Sequence, residues 1–136
     1  MTLLPDTTHW IRWLATGTLP AFEGPASGRS VLLSTIAVME LWAGVRNDDE
    51  ARDLTTLTEA ARRRQRLVSP PPPAWILAGQ AVAALRRTTL GSARLRAIRH
   101  DVLLAATASL MGATVLTANR RDFAAIAKVI PLQWSS

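Results

Sequence analysis

From Val102 to Asn119 the chain carries no charged side chain. A stretch this apolar belongs inside a protein core or a membrane. A membrane span needs about 20 mostly apolar residues, and Thr107, Ser109, Gly112, Thr114 and Thr117 interrupt this one. The other long uncharged window, Leu67–Leu85, contains Pro70 to Pro73, which forbid a continuous helix. Both windows read as soluble core, with no membrane segment. From Asp101 to about Met111 the sequence is apolar on nearly every side of a helix, so that helix is expected to be buried. Gly112 is placed to end it, and Val115-Leu116-Thr117 reads as a strand.

The same alternation runs through the rest of the chain. Leu3-Leu4 begins a strand that leads directly to Asp6. Thr7 or Thr8 is expected to cap a helix through about Ala15, because a hydroxyl can accept a bond from an orphan N–H. Gly17 to Gly28, with Pro20 and Pro25, reads as a loop. Val31-Leu32-Leu33 is a strand candidate, followed by a helix capped by Ser34 or Thr35 and stopped by Gly44. Asp48 to Arg66 reads as a surface helix, with Leu54, Leu57, Ala60 and Ala61 at helical spacing, acids early and arginines late. Leu67-Val68 is a brief strand, and Pro73 suits the first turn of a helix to about Thr88. Gly91 to Arg99 reads as a basic connection. Asp122 begins a short helix through Ala127, and Val129-Ile130 is expected to form a last strand closed by Pro131. Strands alternating with helices imply an α/β fold, a parallel sheet covered by helices on both faces, in one domain over residues 1–136.

At 136 residues and 49% apolar content, one core is within reach. The chain has no cysteine, which rules out disulfides and thiolate metal sites and fits a reducing compartment such as the cytoplasm. Met1 to Leu4 is too short for a secretory signal core. The net charge of +6, nearly all arginine, suggests a polyanionic partner, although arginines also solvate helix faces.

Against that basic background, Asp6, Glu40, Asp101 and Asp122 each sit inside or at the end of an apolar segment. Glu40 is the only charge between Val31 and Val45. The other six acids, Glu23 among them, lie in polar sequence. Carboxylates are seldom buried unless paired or bound to metal. In parallel sheets sites form at the carboxyl ends of strands, and the positions of the four acids permit, without showing, convergence at one edge of the sheet. If they converge, two charges 4 Å apart at an effective dielectric of 20 repel by about 4 kcal/mol, so that either some pKa values rise or a divalent cation neutralises the cluster. With oxygen ligands alone, Mg²⁺ or Mn²⁺ is the natural choice, and such a site suits phosphoryl-ester hydrolysis. Each acid also has a plainer reading: Asp6, Asp101 and Asp122 as helix-start residues, Glu40 as a solvent-facing one.

The segments Leu-Pro-Asp-Thr-Thr-His-Trp-Ile (4–11), Ser-Thr-Ile-Ala-Val-Met-Glu-Leu-Trp-Ala-Gly (34–44), Asp-Val-Leu-Leu-Ala-Ala-Thr-Ala (101–108) and Val-Leu-Thr-Ala-Asn-Arg-Arg-Asp-Phe (115–123) resemble the motifs of PIN domains, in the order and spacing of the small bacterial VapC-like toxins. The resemblance implies a Mg²⁺- or Mn²⁺-dependent ribonuclease, with Asp6, Glu40, Asp101 and Asp122 as catalytic and metal-binding acids. It implies supporting roles for Thr8, Thr117 and Asn119. It also implies a homodimer and an antitoxin that inserts a segment into a groove and blocks the site. The stretch from Asn47 to Arg99 carries no specific motif.

Arg94, Arg96 and Arg99 approach Asp101 in sequence and are candidates for RNA phosphates, as are Arg120 and Arg121 beside Asp122. For the last two, screening of the acids is an equal alternative. Arg62 to Arg66 reads rather as a solvated helix end. Trp10 and Trp13 share a helix face, in the core or in a partner groove; Trp42 and Trp75 are expected in the core. His9 and His100 read as hydrogen-bonded spectators. Two other functions stay open: a PIN-like ribonuclease of RNA maturation or turnover, and a basic RNA- or protein-binding module without catalysis.

Overall fold

Leu3 and Leu4 are buried, and around them Thr2–Pro5 forms the first strand, β1. The computed structural model describes residues 1–22, 30–88 and 90–136, so the expected loop up to Gly28 lies outside the described residues from 23 onward. The described chain divides into two units, Met1–Ser69 and Pro70–Ser136. Among the described residues no helix is long and apolar enough to cross a membrane.

In the first unit β1 is followed by α1 (Thr7–Thr16), β2 (Ser30–Val31), β3 (Leu33–Ser34), α2 (Thr35–Ala43), α3 (Asp48–Arg63) and β4 (Leu67–Val68). The expected strand Val31-Leu32-Leu33 is two short ones. β2 pairs parallel with β1, Leu3 opposite Val31, whereas β3 pairs parallel with β4, Leu33 opposite Leu67. Successive N–H groups of an extended chain point to opposite sides. Thus Leu32 N–H bonds Leu3 O at 2.9 Å, and Leu33 N–H bonds Arg66 O at 2.8 Å. Pro5 falls at the end of β1, where its missing donor does least harm.

Capping departs from expectation at α1. Asp6 is the cap, accepting from His9 N–H, and Thr7 and Thr8 lie in the first turn with their hydroxyls used elsewhere. Gly17, at φ 69°, closes the helix in the left-handed region that favours glycine. Ser34 caps α2 and Gly44 ends it. Asn47 caps α3, which stops at Arg63, short of the expected Arg66, and Gln65 turns the chain with φ 56°. Leu54, Leu57 and Ala61 bury one face of α3, while Ala60 is exposed.

The second unit holds α4 (Pro72–Arg86), α5 (Ser92–Ala97), α6 (Arg99–Met111), β5 (Thr114–Leu116), α7 (Arg120–Ile126) and β6 (Gln133–Ser135). Every residue of α6 from Val102 to Ala108 is buried. α4 packs along it through Ala74, Ala78, Ala81 and Leu85, a small-residue stripe at helical spacing that allows close approach. Fully burying a Val or Leu side chain contributes roughly 1.5–3 kcal/mol, so α6 is a principal source of this unit's stability.

Three expectations are corrected here. The stretch from Gly91 to Arg99 contains α5, anchored by buried Leu95. Val129-Ile130 is the turn after α7. There Ile130 is buried and its N–H bonds Ile126 O at 3.0 Å, and the last strand comes after Pro131, as β6 parallel to β5. A lone apolar pair serves a strand or a helix end equally well, and the helix claimed this one. Trp42 and Trp75, expected in the core, are 44% and 60% exposed. The α/β reading, parallel strands with helices between them, is what the structure shows.

Candidate functional site

Asp6 stands where β1 ends and α1 begins, only 4% exposed. Its Oδ1 accepts the Thr8 hydroxyl at 2.5 Å and the His9 N–H at 3.3 Å, and His9 Nδ1 lies 3.3 Å away. Glu40 sits in the second turn of α2, half-buried. Its Oε1 accepts the Thr7 hydroxyl at 2.7 Å. Two consecutive threonines at the start of α1 therefore each hold one acid. That follows from the packing of α1 on α2 and from the turn, which points adjacent side chains in different directions.

In the second unit Asp101 is in the first turn of α6 and Asp122 in the first turn of α7, both half-buried. Asp122 has a nitrogen donor on each oxygen: Arg94 pairs with Oδ1, and Asn119 Nδ2 donates to Oδ2 at 2.6 Å. Asn119 also caps α7, its Oδ1 accepting from Asp122 N–H, and its own N–H donates to the Thr117 hydroxyl at 2.9 Å. Thr117 is fully buried. Arg94 was expected to face RNA, but its guanidinium is engaged with Asp122. Arg96, Arg99, Arg120 and Arg121 are exposed.

The donors suit a hard divalent cation: carboxylate oxygens steadied by hydroxyls and an amide, with no thiolate in the chain. Asp6 fits best by its place, a buried carboxylate at the carboxyl end of β1 held by the Thr8 hydroxyl and the His9 N–H. Asp122 fits least, because a guanidinium already matches its charge. Among the described residues no three or more His, Asp or Glu side chains are gathered as a group that would hold a metal ion.

A cleft of about 370 Å³ opens between α1, α2 and α3. Ile11, Leu14, Leu41, Val45 and Leu54 supply its apolar lining; Glu40, Glu50 and Asp53 bring acids to it.

The model of the PIN domain matches this chain over residues 3–129. The chain belongs to the PIN-domain family. Its fold is similar to three toxin–antitoxin structures. VapBC2 from Rickettsia felis, bound to a DNA fragment from its promoter, is 20% identical, with TM-score 0.69 over 99% of this chain and 98% of that one. VapBC-1 from nontypeable Haemophilus influenzae is 20% identical, with TM-score 0.68 over 100% and 98%. DNA-bound VapBC from Salmonella typhimurium is 24% identical, with TM-score 0.67 over 99% and 97%. No curated protein sequence matches the chain.

Within this PIN domain two contacts to the acids join residues too far apart in sequence to be foreseen. Thr7 had no local signal, because its partner Glu40 is 33 residues away. Arg94 is an expected RNA contact by its approach to Asp101 in sequence, but its pairing with Asp122 spans 28 residues.

Proposed function

We propose that this PIN domain is a metal-dependent endoribonuclease, the toxin of a toxin–antitoxin pair. The observation that carries the reading is the buried Asp6, steadied by Thr8 at the carboxyl end of β1 in a chain that the family model spans almost throughout. In this reading Asp6, Glu40, Asp101 and Asp122 hold Mg²⁺ or Mn²⁺, with Asp6 and Asp101 the direct ligands. A divalent ion bound there would supply Lewis acidity toward water and toward the leaving oxygen.

The chain's own residues do the rest. Thr8 fixes the rotamer of Asp6, Thr7 that of Glu40 and Asn119 that of Asp122. A carboxylate takes the proton of the attacking water. Hydrolysis in line expels the 3′ oxygen and leaves a 5′ phosphate and a 3′ hydroxyl. The exposed Arg96, Arg99, Arg120 and Arg121 engage RNA phosphates, with binding that weakens as salt rises.

The structures of similar fold are VapBC complexes. By extension the partner here is an antitoxin whose apolar segment enters the cleft of α1, α2 and α3 and reaches Glu40. The exposed Trp75 and Ile76 of α4 are suited to a homodimer contact. The place of action in this reading is the cytoplasm.

The test is to sequence RNA ends after brief induction in cells, with Asp101→Asn as control. New 5′-phosphate ends with the wild type and none with the variant are expected. Growth arrest rescued by a neighbouring small open reading frame separates a toxin from an enzyme of RNA turnover. Equal cleavage by Asp6→Asn, Asp101→Asn and the wild type would overturn the assignment.

A further inference from the structure

Arg94 is the third residue of the six-residue α5, and its guanidinium meets Asp122 on α7. The pair is sheltered, its side chains 25% and 17% exposed. Elsewhere among the described residues the arginine–carboxylate pairs Arg52–Asp49 and Arg62–Glu59 are local, joining residues one turn apart on the surface of α3, and Arg46, just before the α3 cap, reaches Glu50 four residues on. Such pairs form wherever the spacing allows. Arg94–Asp122 needs the tertiary fold to bring it together, and a guanidinium interacts more strongly with a carboxylate where water is partly excluded.

The surroundings of Asp122 are fully engaged. Asn119 takes Oδ2, held in turn by the buried Thr117, and Arg94 takes Oδ1. A cation approaching Asp122 meets a positive charge already in place. Arginine cannot shed its proton to yield. It can only move, and its long, partly exposed side chain on a short helix permits that.

We infer that Arg94 is an internal counter-ion for Asp122, competing with a divalent cation for this acid. It neutralises and orients the carboxylate while no metal is bound, and leaves Oδ1 when one binds. The inference rests on the metal-dependent reading proposed above. Arg94 is thus a positioning residue, and removing its charge strengthens metal binding while weakening the metal-free fold.

Mn²⁺ binding to the full chain, followed by calorimetry and by the electron paramagnetic resonance of free Mn²⁺, tests this. Arg94→Gln is expected to bind Mn²⁺ roughly tenfold tighter than the wild type, because a like charge beside the site is gone. In chelator it melts below the wild type, and saturating Mn²⁺ closes the gap. Arg94→Lys keeps the charge and stays within about threefold of the wild type. In the wild type itself, Mg²⁺ shifts the Arg94 Nε–H resonance as the ion pair opens, a readout that needs no variant. A merely structural Arg94 would lower the melting temperature without tightening Mn²⁺. Equal or weaker Mn²⁺ binding by Arg94→Gln, or an Arg94 resonance indifferent to Mg²⁺, overturns the counter-ion and leaves the metal reading standing. Absence of Mn²⁺ binding in both wild type and Arg94→Gln overturns the metal reading and this inference together.

Discussion

Asp6 and Asp122 both stand at the beginning of a helix, but different forces hold them. Asp6 is itself the cap of α1, and its contacts with Thr8 and His9 come from the next three residues. Asp122 lies inside α7, capped by Asn119, and its charge is met by an arginine from another helix. The Thr8 and His9 contacts are local: any helix starting Asp-Thr-Thr-His has those groups within reach. The Arg94–Asp122 pair exists only when α5 and α7 are in place. Acids of one motif family can therefore be poised by independent means, and a substitution at one says little about the other.

The largest effect expected is on catalysis at Asp6. Asp6→Asn should lower RNA cleavage by roughly a hundredfold or more if the carboxylate is a metal ligand, with little change in stability, since asparagine caps as well as aspartate. Asp6→Ala should lose the same activity and about 1 kcal/mol of stability besides. Rates on a labelled RNA and urea denaturation separate the two losses. Retained cleavage in Asp6→Asn would reduce Asp6 to a cap and erase its contrast with Asp122.

Next comes Thr7→Val, which removes the hydroxyl from Glu40 while keeping the shape. Loss of a group that orients a metal ligand costs about 10- to 100-fold in affinity or activity, so a drop near the lower end is expected in cleavage rate. A variant as active as the wild type would mean that Glu40 needs no orientation. Asn119→Ala strikes the other acid: it removes the cap of α7 and the donor to Asp122 Oδ2. About 1 kcal/mol of stability should be lost, by thermal or urea melts. Asn119→Asp should keep the cap yet set a second carboxylate against Asp122, so cleavage lost there without lost stability reports on the surroundings of Asp122 rather than on the cap.

The smallest effect is expected at Glu59, an arginine-paired acid in open water. The hydrogen bond from Arg62, helped by its charge, holds the Glu59 carboxyl below its ordinary range. A lowered folded-state value means stability present above the unfolded value and lost as pH falls through the folded one. Because the pair is exposed and one turn apart, Glu59→Gln should change the melting temperature within experimental error at pH 7, and added salt should remove any difference. A large effect would show that exposed arginine–carboxylate pairs on this chain matter as much as the sheltered one.

Much of the fold could be read in advance because its signals are short-range. The run of seven buried residues in α6, the serine and glycine that bound α2, and the acid-to-base polarity of α3 are each contained in a few adjacent residues. The misreadings share a cause. Val129-Ile130 and Gly91–Arg99 are ambiguous by composition, and whether they become strand, turn or helix depends on what they pack against. Trp42 and Trp75 look like core by residue type, and yet they lie on exposed faces of α2 and α4. Exposed tryptophans suit the partner contacts proposed above.

The four acids were conspicuous because an isolated carboxylate in apolar sequence carries a desolvation cost that residue type and neighbours alone reveal. Their companions could not be foreseen. Thr7 reaching Glu40, Arg94 matching Asp122, and one extended segment at residues 30–34 serving two strand partners all join groups far apart along the chain. A hydrogen bond or ion pair acts over a few ångströms. Local sequence can announce which residues need a partner, but only folding brings the partner within that range.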